Sequence, residues 1–293
     1  ALDIIETLFM DKSELEALLT LLEDPDEEVF TAVSQSLKRH GEQVIPQLES
    51  AWESSLNETI QSKLENIIHE IQHTSVKKQL EQWVRSGADD ILEGAFYISK
   101  FQYPDLQFEF ILNGIERIKN DVWLEINNNL TALEKVRILN HIIFEEHKFH
   151  PNTTNFYSPQ NSYINVVLES KKGNPISLSI IYMVVAQRLG VPVYGVNLPK
   201  NFLMAYVDDW FDAMSSENVL FYINAFNRGA VLGKREIDYF VKQQNMTPDE
   251  SFYKPCENTE IIKRLILNLI ISYQKIGVKE KVTQMQEILK LFI

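Results

Sequence analysis

The chain has 293 residues, 45% of them hydrophobic and 24% charged, with a formal net charge of -13 and a single cysteine. Such a chain is expected to fold as a soluble globular protein of two or three domains, and its acidity excludes a phosphate-backbone binder and an anionic membrane surface as partners. One cysteine leaves no intrachain disulfide and no thiolate metal cage.

The first eighty residues read as helices only. "SELEALLTLLED" pairs Ser13 with Glu16 in a capping-box pattern. In "DPDEEVFTAVSQSLKRHG", Pro25 sits in the entry turn, Val29, Val33 and Leu37 form a stripe, and Gly41 stops the helix. "IPQLESAW" starts a third helix at Pro46. "NETIQSKLENIIHEIQ" starts a fourth at Asn57, with Ile60, Leu64, Ile67 and Ile71 on one face. Helix, D-P-D turn, helix and glycine resemble a HEAT-type repeat; a plain helical subdomain fits the same pattern.

Helices continue from 81 to 150. "ILEGAFYISKFQYPDLQFEFILNGIERI" is apolar and broken at Tyr103-Pro104, and its aromatics (Phe96, Tyr97, Phe101, Tyr103, Phe108, Phe110) are expected in the core. "TALEKVRILNHIIFEEH" is amphipathic through Leu133, Val136, Leu139 and Ile143. "KFHPNTTNFYSPQNS" reads as a loop. Asn174 then caps a helix opened by Pro175 and closed by Gly190 and Pro192. That helix is apolar nearly all round, so it is expected to be buried. "VPVYGVNL", "NFLMAYV" and "VLFYINAF" read as strands. A buried helix followed by successive strands predicts an α+β fold with an antiparallel sheet. "NTEIIKRLILNLIISYQKIGVKEKVTQMQEILKLFI" reads as a helical hairpin joined near Gly277, similar to a tetratricopeptide unit. The apolar windows 176–186 and 265–271 are too short to cross a bilayer, and nothing resembles a signal peptide, so a cytoplasmic chain is expected.

The stretches "YPDLQFEFILNGIERI", "LNHIIFEEHKFHPNTTNFYSPQNSYINVVLESKKGNPISLSIIYMVVAQRLGVPVYGVNLPKNFLMAY" and "YINAFNRG" together resemble the SirB-type branch of the transglutaminase-like superfamily, over residues 90 to 240. The family pattern runs Y-x-D-P-x-N-S-x-L, a G-x-P-I-S-L helix, G-V-N-x-P-G-H-F and D-P-F-x-x-G. The C-terminal hairpin matches that branch too, which divides the chain into a helical region 1–80, a core 81–250 and a hairpin 251–293. The resemblance implies a papain-like core. In active members a cysteine heads the buried helix, where the dipole and a histidine lower its pKa, and an acid orients the histidine.

Carried onto this chain, the nucleophile slot falls near Pro175 to Ser177, where no cysteine stands. P-G-H-F reads Pro199-Lys200-Asn201-Phe202, so the base is Asn201, and D-P-F reads Asn224-Ala225-Phe226, so the acid is an amide too. An amide does not titrate and cannot act as a base. The resemblance therefore implies a degenerate triad: a pseudoenzyme that binds a protein or peptide, with no cofactor. Asn174, Ser177, Asn201 and Asn224 are expected to line a polar pocket at a helix start, suited to an anionic or carbonyl group. The alternative is that these groups only satisfy buried strand and helix ends.

A second reading is a hydrolase or acyl transferase in which Ser177 is activated by Lys172 or Lys200. The run "HIIFEEHKFH" offers His141, Glu145, His147 and His150, but it is not H-E-x-x-H and the helix is expected to end near His147, so no metal site is assigned. Cys256, in "KPCEN", has no histidine nearby in sequence and reads as unreactive.

Overall fold

The computed structural model describes residues 12–22, 24, 26–208 and 214–292. The side chains of Ser13 and Glu16, and Pro25 entirely, lie outside the described residues, and with them the expected capping box and entry-turn proline. The chain divides into two compact units, one ending at Gln79 and one starting at Leu80.

The first unit holds α1 (Lys12–Leu21), α2 (Glu27–His40), α3 (Ile45–Ser54) and most of α4 (Glu58–Arg85). Asp26 starts α2 by accepting the Glu28 N–H at 2.8 Å, and Gly41 ends it at φ 65°. Val33 and Leu37 of α2 and Ile60, Leu64, Ile67 and Ile71 of α4 are buried in one core with Leu22, Val44 and Leu48, and Val29 packs against it. α4 runs for 28 residues, well past the "HEIQ" at which the sequence pattern placed its end. No glycine or proline stands between residues 58 and 85, so nothing interrupts the backbone ladder.

The second unit begins with the end of α4 and continues with α5 (Ile91–Lys100), α6 (Phe108–Trp123) and α7 (Ala132–Asn140). Thr131 and Glu134 cap α7 reciprocally. α7 runs on into a π-helical turn, His141–Glu146. Val136, Leu139 and Ile143 are buried, but Leu133 is 45% exposed and is not part of the core. Phe96 and Phe101 are buried as expected, whereas Phe110 is exposed. Both exceptions sit in the first turn of their helix, where the stripe has not yet met its neighbours.

A parallel pair follows, β1 (His150–Pro151) with β2 (Lys172–Gly173), enclosing α8 (Ile164–Ser170). Neither the pair nor α8 was visible in the loop-like sequence. Next comes α9 (Pro175–Arg188), buried without a break from Ile176 to Ala186. It packs against α5, α6 and α8 and underlies the sheet β3 (Val193–Val196), β4 (Leu203–Val207), β5 (Val219–Asn224) and β6 (Ala230–Leu232). All pairings in that sheet are antiparallel, in the order β3-β4-β5-β6. Each isoleucine, leucine or valine buried along α9 stabilises the fold by about 1.5–3 kcal/mol.

β4 is buried at every position. Leu203 and Ala205 pack with Ile237 and Val241 of α10 (Lys234–Gln243), and the pleat turns Met204 and Tyr206 to the opposite face. A strand covered on both faces has no polar alternation to show, which is why "FLMAYV" reads as one apolar run. The chain ends in α11 (Asn258–Ile276) and α12 (Lys279–Leu289), joined by Gly277 at φ 78°. The fold is α+β, with helices added on both sides of the sheet-bearing segment. No described helix is long and apolar enough to cross a membrane.

Candidate functional site

The start of α9 is closed by its own side chains. Asn174 Oδ1 accepts the N–H groups of Ile176 at 3.0 Å and Ser177 at 2.9 Å. Pro175 has no N–H, and Leu178 N–H donates to the Asn174 carbonyl at 3.1 Å. Every first-turn donor is thereby used. The Ser177 hydroxyl accepts from Asn174 N–H at 3.0 Å and donates to the Asn161 carbonyl at 2.6 Å. Ser177 is 1% exposed, and Gly173 leaves it no spare room, since a Cβ there would stand 2.7 Å from its Oγ.

Asn161 organises the neighbouring loop. Its Nδ2 donates to the carbonyls of Asn155 at 2.8 Å and Phe156 at 3.1 Å, and its Oδ1 accepts from Asn152 Nδ2 at 2.8 Å. Asn174 Nδ2 donates to Ser162 Oγ at 2.8 Å. The N-S of "PQNS" and the N-P-I-S of the helix thus form one buried polar network, with each group partnered as a buried polar group must be.

On the sheet side, Asn201 precedes β4 and its Oδ1 accepts the Phe202 N–H at 2.9 Å. Asn224 ends β5 and caps the turn Ala225–Asn227 by accepting Asn227 N–H at 3.2 Å. Met204 pairs with Ile223, so both amides lie at the same end of the sheet. Neither bonds to the other or to Ser177.

A cleft of about 350 Å³ opens between these elements. Asn174, Pro175 and Ile176 of α9 border it, with Lys200, Asn201 and Phe202 before β4, Phe156 and Tyr157 of the loop, and Arg264, Asn268, Ile271 and Ser272 of α11. Of the four expected pocket residues, Asn174 and Asn201 reach it. Ser177 is turned inward and Asn224 is spent on its own turn. The α11 contribution went unread, although three polar residues at four-residue spacing in an apolar helix were its signal. Arg264 is partly buried, which pulls its pKa down, and its Nη1 donates to Asn197 Oδ1 at 3.2 Å.

The remaining candidates scatter. Lys172 is exposed, and Lys200 Nζ donates to Gln244 Oε1 at 3.0 Å, so neither hydrogen-bonds to Ser177. His141 Nδ1 meets Glu145 at 3.0 Å, His147 Nε2 reaches back to Asp121 of α6 at 2.7 Å, and His150 Nδ1 meets the Lys148 carbonyl at 2.8 Å. Among the described residues, no group of three or more histidine, cysteine or carboxylate side chains is placed to hold a metal.

Burial first, and then the carboxylate of Glu260, pushes the Cys256 thiol up to about 12. At pH 8 that leaves about one thiolate in ten thousand. Iodoacetamide at pH 8 is therefore expected to label Cys256 far more slowly in the native chain than in urea. Equal labelling rates in the two states would show the thiol to be open.

Residues 109–267, more than half of the chain, match the family model described as transglutaminase-like superfamily. The F-box only protein 21 of Mus musculus is 24% identical over 254 residues, covering 78% of this chain and 40% of that protein. A UPF0162 protein of Xylella fastidiosa (strain 9a5c) is 29% identical over 186 residues, covering 61% of this chain and 63% of its own. A UPF0162 protein of Vibrio cholerae is 25% identical over 140 residues, covering 48% and 49%. The chain spans less than two thirds of each of these relatives. No solved structure matches it. The matched residues include the capped start of α9, the strand ends that carry Asn201 and Asn224, and the first part of α11, and the chain belongs to the transglutaminase-like superfamily.

Proposed function

We propose that this chain is a non-catalytic member of its superfamily that binds a protein or peptide in the cleft beside α9. The observation that carries the reading is the Ser177 hydroxyl, the nearest one to the nucleophile slot. It is sealed beneath the helix start and hydrogen-bonded to the Asn161 carbonyl, with no base beside it. The base and acid slots hold amides, Asn201 and Asn224, and among the described residues no cysteine or histidine borders the cleft. The likeness to proteins named F-box only protein 21 supports a role in protein interaction. The helices of the first unit, read as HEAT-type, and the α11–α12 hairpin, read as tetratricopeptide-type, would then be further binding surfaces in a cytoplasmic protein.

The test is turnover. The purified chain is expected to hydrolyse no ester or peptide and to join no amine to a glutaminyl peptide. Any trace activity should persist in Ser177→Ala and Asn201→Ala. Ser177→Ala is expected instead to destabilise the fold by about 1–3 kcal/mol, because it removes the hydroxyl that donates to the Asn161 carbonyl and accepts from Asn174 N–H, leaving those two only their long 3.4 Å contact with each other. Turnover by the wild-type chain that vanishes in a folded Ser177→Ala variant would replace this reading with the serine hydrolase.

A further inference from the structure

The cleft has a chemical bias that narrows the binding reading on which this inference rests. Arg264 borders it from α11, and among the described residues its guanidinium forms no ion pair with a carboxylate. Among the described residues its hydrogen-bond partner is the neutral amide of Asn197. An arginine carries five N–H donors, so most of them remain for a ligand. Lys200 borders the same cleft and, among the described residues, is likewise held by a neutral amide, that of Gln244. In a chain with 41 acidic against 28 basic residues, two cations facing one cleft without a carboxylate depart from their surroundings.

The start of α9 adds no donor, because Asn174 has used them. Asn201 does add one. Its Oδ1 is held by Phe202 N–H, which leaves Nδ2 turned to other partners. The lip of the cleft is apolar. Phe156, Tyr157 and Ile271 are all exposed there. Phe156 and Tyr157 also wall a second cleft of about 680 Å³, so they form a ridge with a trough on either side. Their rings meet edge to face at 5.2 Å, and Phe156 meets Phe226 in the same way at 5.9 Å, which stiffens the ridge.

We infer that the cleft receives a peptide segment bearing a carboxylate, held by Arg264 with Asn201 and Lys200, while a neighbouring aromatic or large aliphatic side chain packs on the Phe156–Tyr157 ridge. A guanidinium takes a carboxylate through two parallel N–H bonds. Arg264 and the Phe156–Tyr157 ridge border the same cleft, so the acid and the packing side chain are expected within a few residues of each other in the ligand, where three extended residues span about 10 Å. A single carboxylate also suits the surrounding charge better than a phosphate, which brings about two negative charges into a field already negative.

The experiment selects heptapeptides from a random display library on the full chain and measures the synthesised winners by fluorescence polarisation. The expected winners carry Asp or Glu beside Phe, Tyr, Leu or Ile. Changing that acid to its amide is expected to weaken binding about tenfold or more. Arg264→Met should cost the same factor, and the two changes together no more than either alone. Ile271 lies on the surface, so Ile271→Glu and Ile271→Lys leave the fold intact. The first should repel the ligand and the second should not.

Winners without acids, bound equally well by Arg264→Met but lost in Tyr157→Asp, would overturn the carboxylate and leave the binding function standing. Free glutamate competing as well as the peptides would overturn the peptide. No winners at all, or winners indifferent to every cleft substitution, would overturn both this inference and the binding reading.

Discussion

Replacing Gly229 by alanine is expected to destabilise the protein by about 2–5 kcal/mol, summing left-handed backbone strain and an orphaned buried polar group. Gly229 has φ 76°, and a Cβ there would fall 1.9 Å from Asn140 Oδ1. That amide cannot simply move away. Its Nδ2 donates to the Gly229 carbonyl at 2.8 Å, and its Oδ1 accepts from Tyr182 Oη at 3.0 Å. Tyr182 is fully buried in α9, with its pKa raised well above 10 by that burial, and among the described residues its hydroxyl has only one other hydrogen-bond partner, the Val136 carbonyl at 3.4 Å. The methyl group would therefore unlink the turn after β5 from α7 and from α9 at once. Equilibrium urea unfolding measures the effect. A loss below about 0.5 kcal/mol would show that the turn absorbs the methyl group without strain. The double variant Asn140→Ala/Gly229→Ala should lose less than the sum of the two single changes, because they break the same link.

Asn161→Ala is the second large effect expected, about 2–4 kcal/mol, since it strips partners from the carbonyls of Asn155 and Phe156 and from Asn152 Nδ2. Asn161→Asp separates the contributions, as the carboxylate keeps the acceptor for Asn152 and loses both donors. Its loss should fall close to that of alanine. The 152–162 segment also carries Phe156 and Tyr157, so hydrogen exchange should rise there in both variants, ahead of any change in α9. Unchanged exchange in that loop would mean that Asn161 is not what holds it.

How much of this was legible in the sequence depends on how local the signal is. The limits of α9 were legible because Asn174, Pro175, Gly190 and Pro192 each act on their nearest neighbours. Three strands and the closing hairpin were legible through composition and Gly277. The weak elements were not: β1 and β2 are two residues each and pair residues 22 apart in sequence, and α10, with two buried residues, has no role visible from its own sequence. The site divides in the same way. Asn174 and Asn201 were found through local pattern. Ser177 was correctly placed on the helix and wrongly aimed, because its direction is decided by the Asn161 carbonyl sixteen residues away. Arg264 comes from α11, which starts 70 residues after α9 ends (258 against 188), a distance that no motif spans.

The closed start of α9 also limits what chemistry could be placed there. Suppose a cysteine replaced Pro175. Its thiolate would face a helix end already neutralised by Asn174 Oδ1, with the N–H groups of Ile176 and Ser177 committed to that oxygen. Asn201 would offer it no proton acceptor. A reaction would need the cysteine, the histidine and a released cap together, and each change alone would loosen a buried network while returning no chemistry. Substitutions on the exposed lip, at Phe156, Tyr157 or Ile271, disturb none of these bonds, so the cleft is freer to change what it holds than the helix start is to gain a reaction.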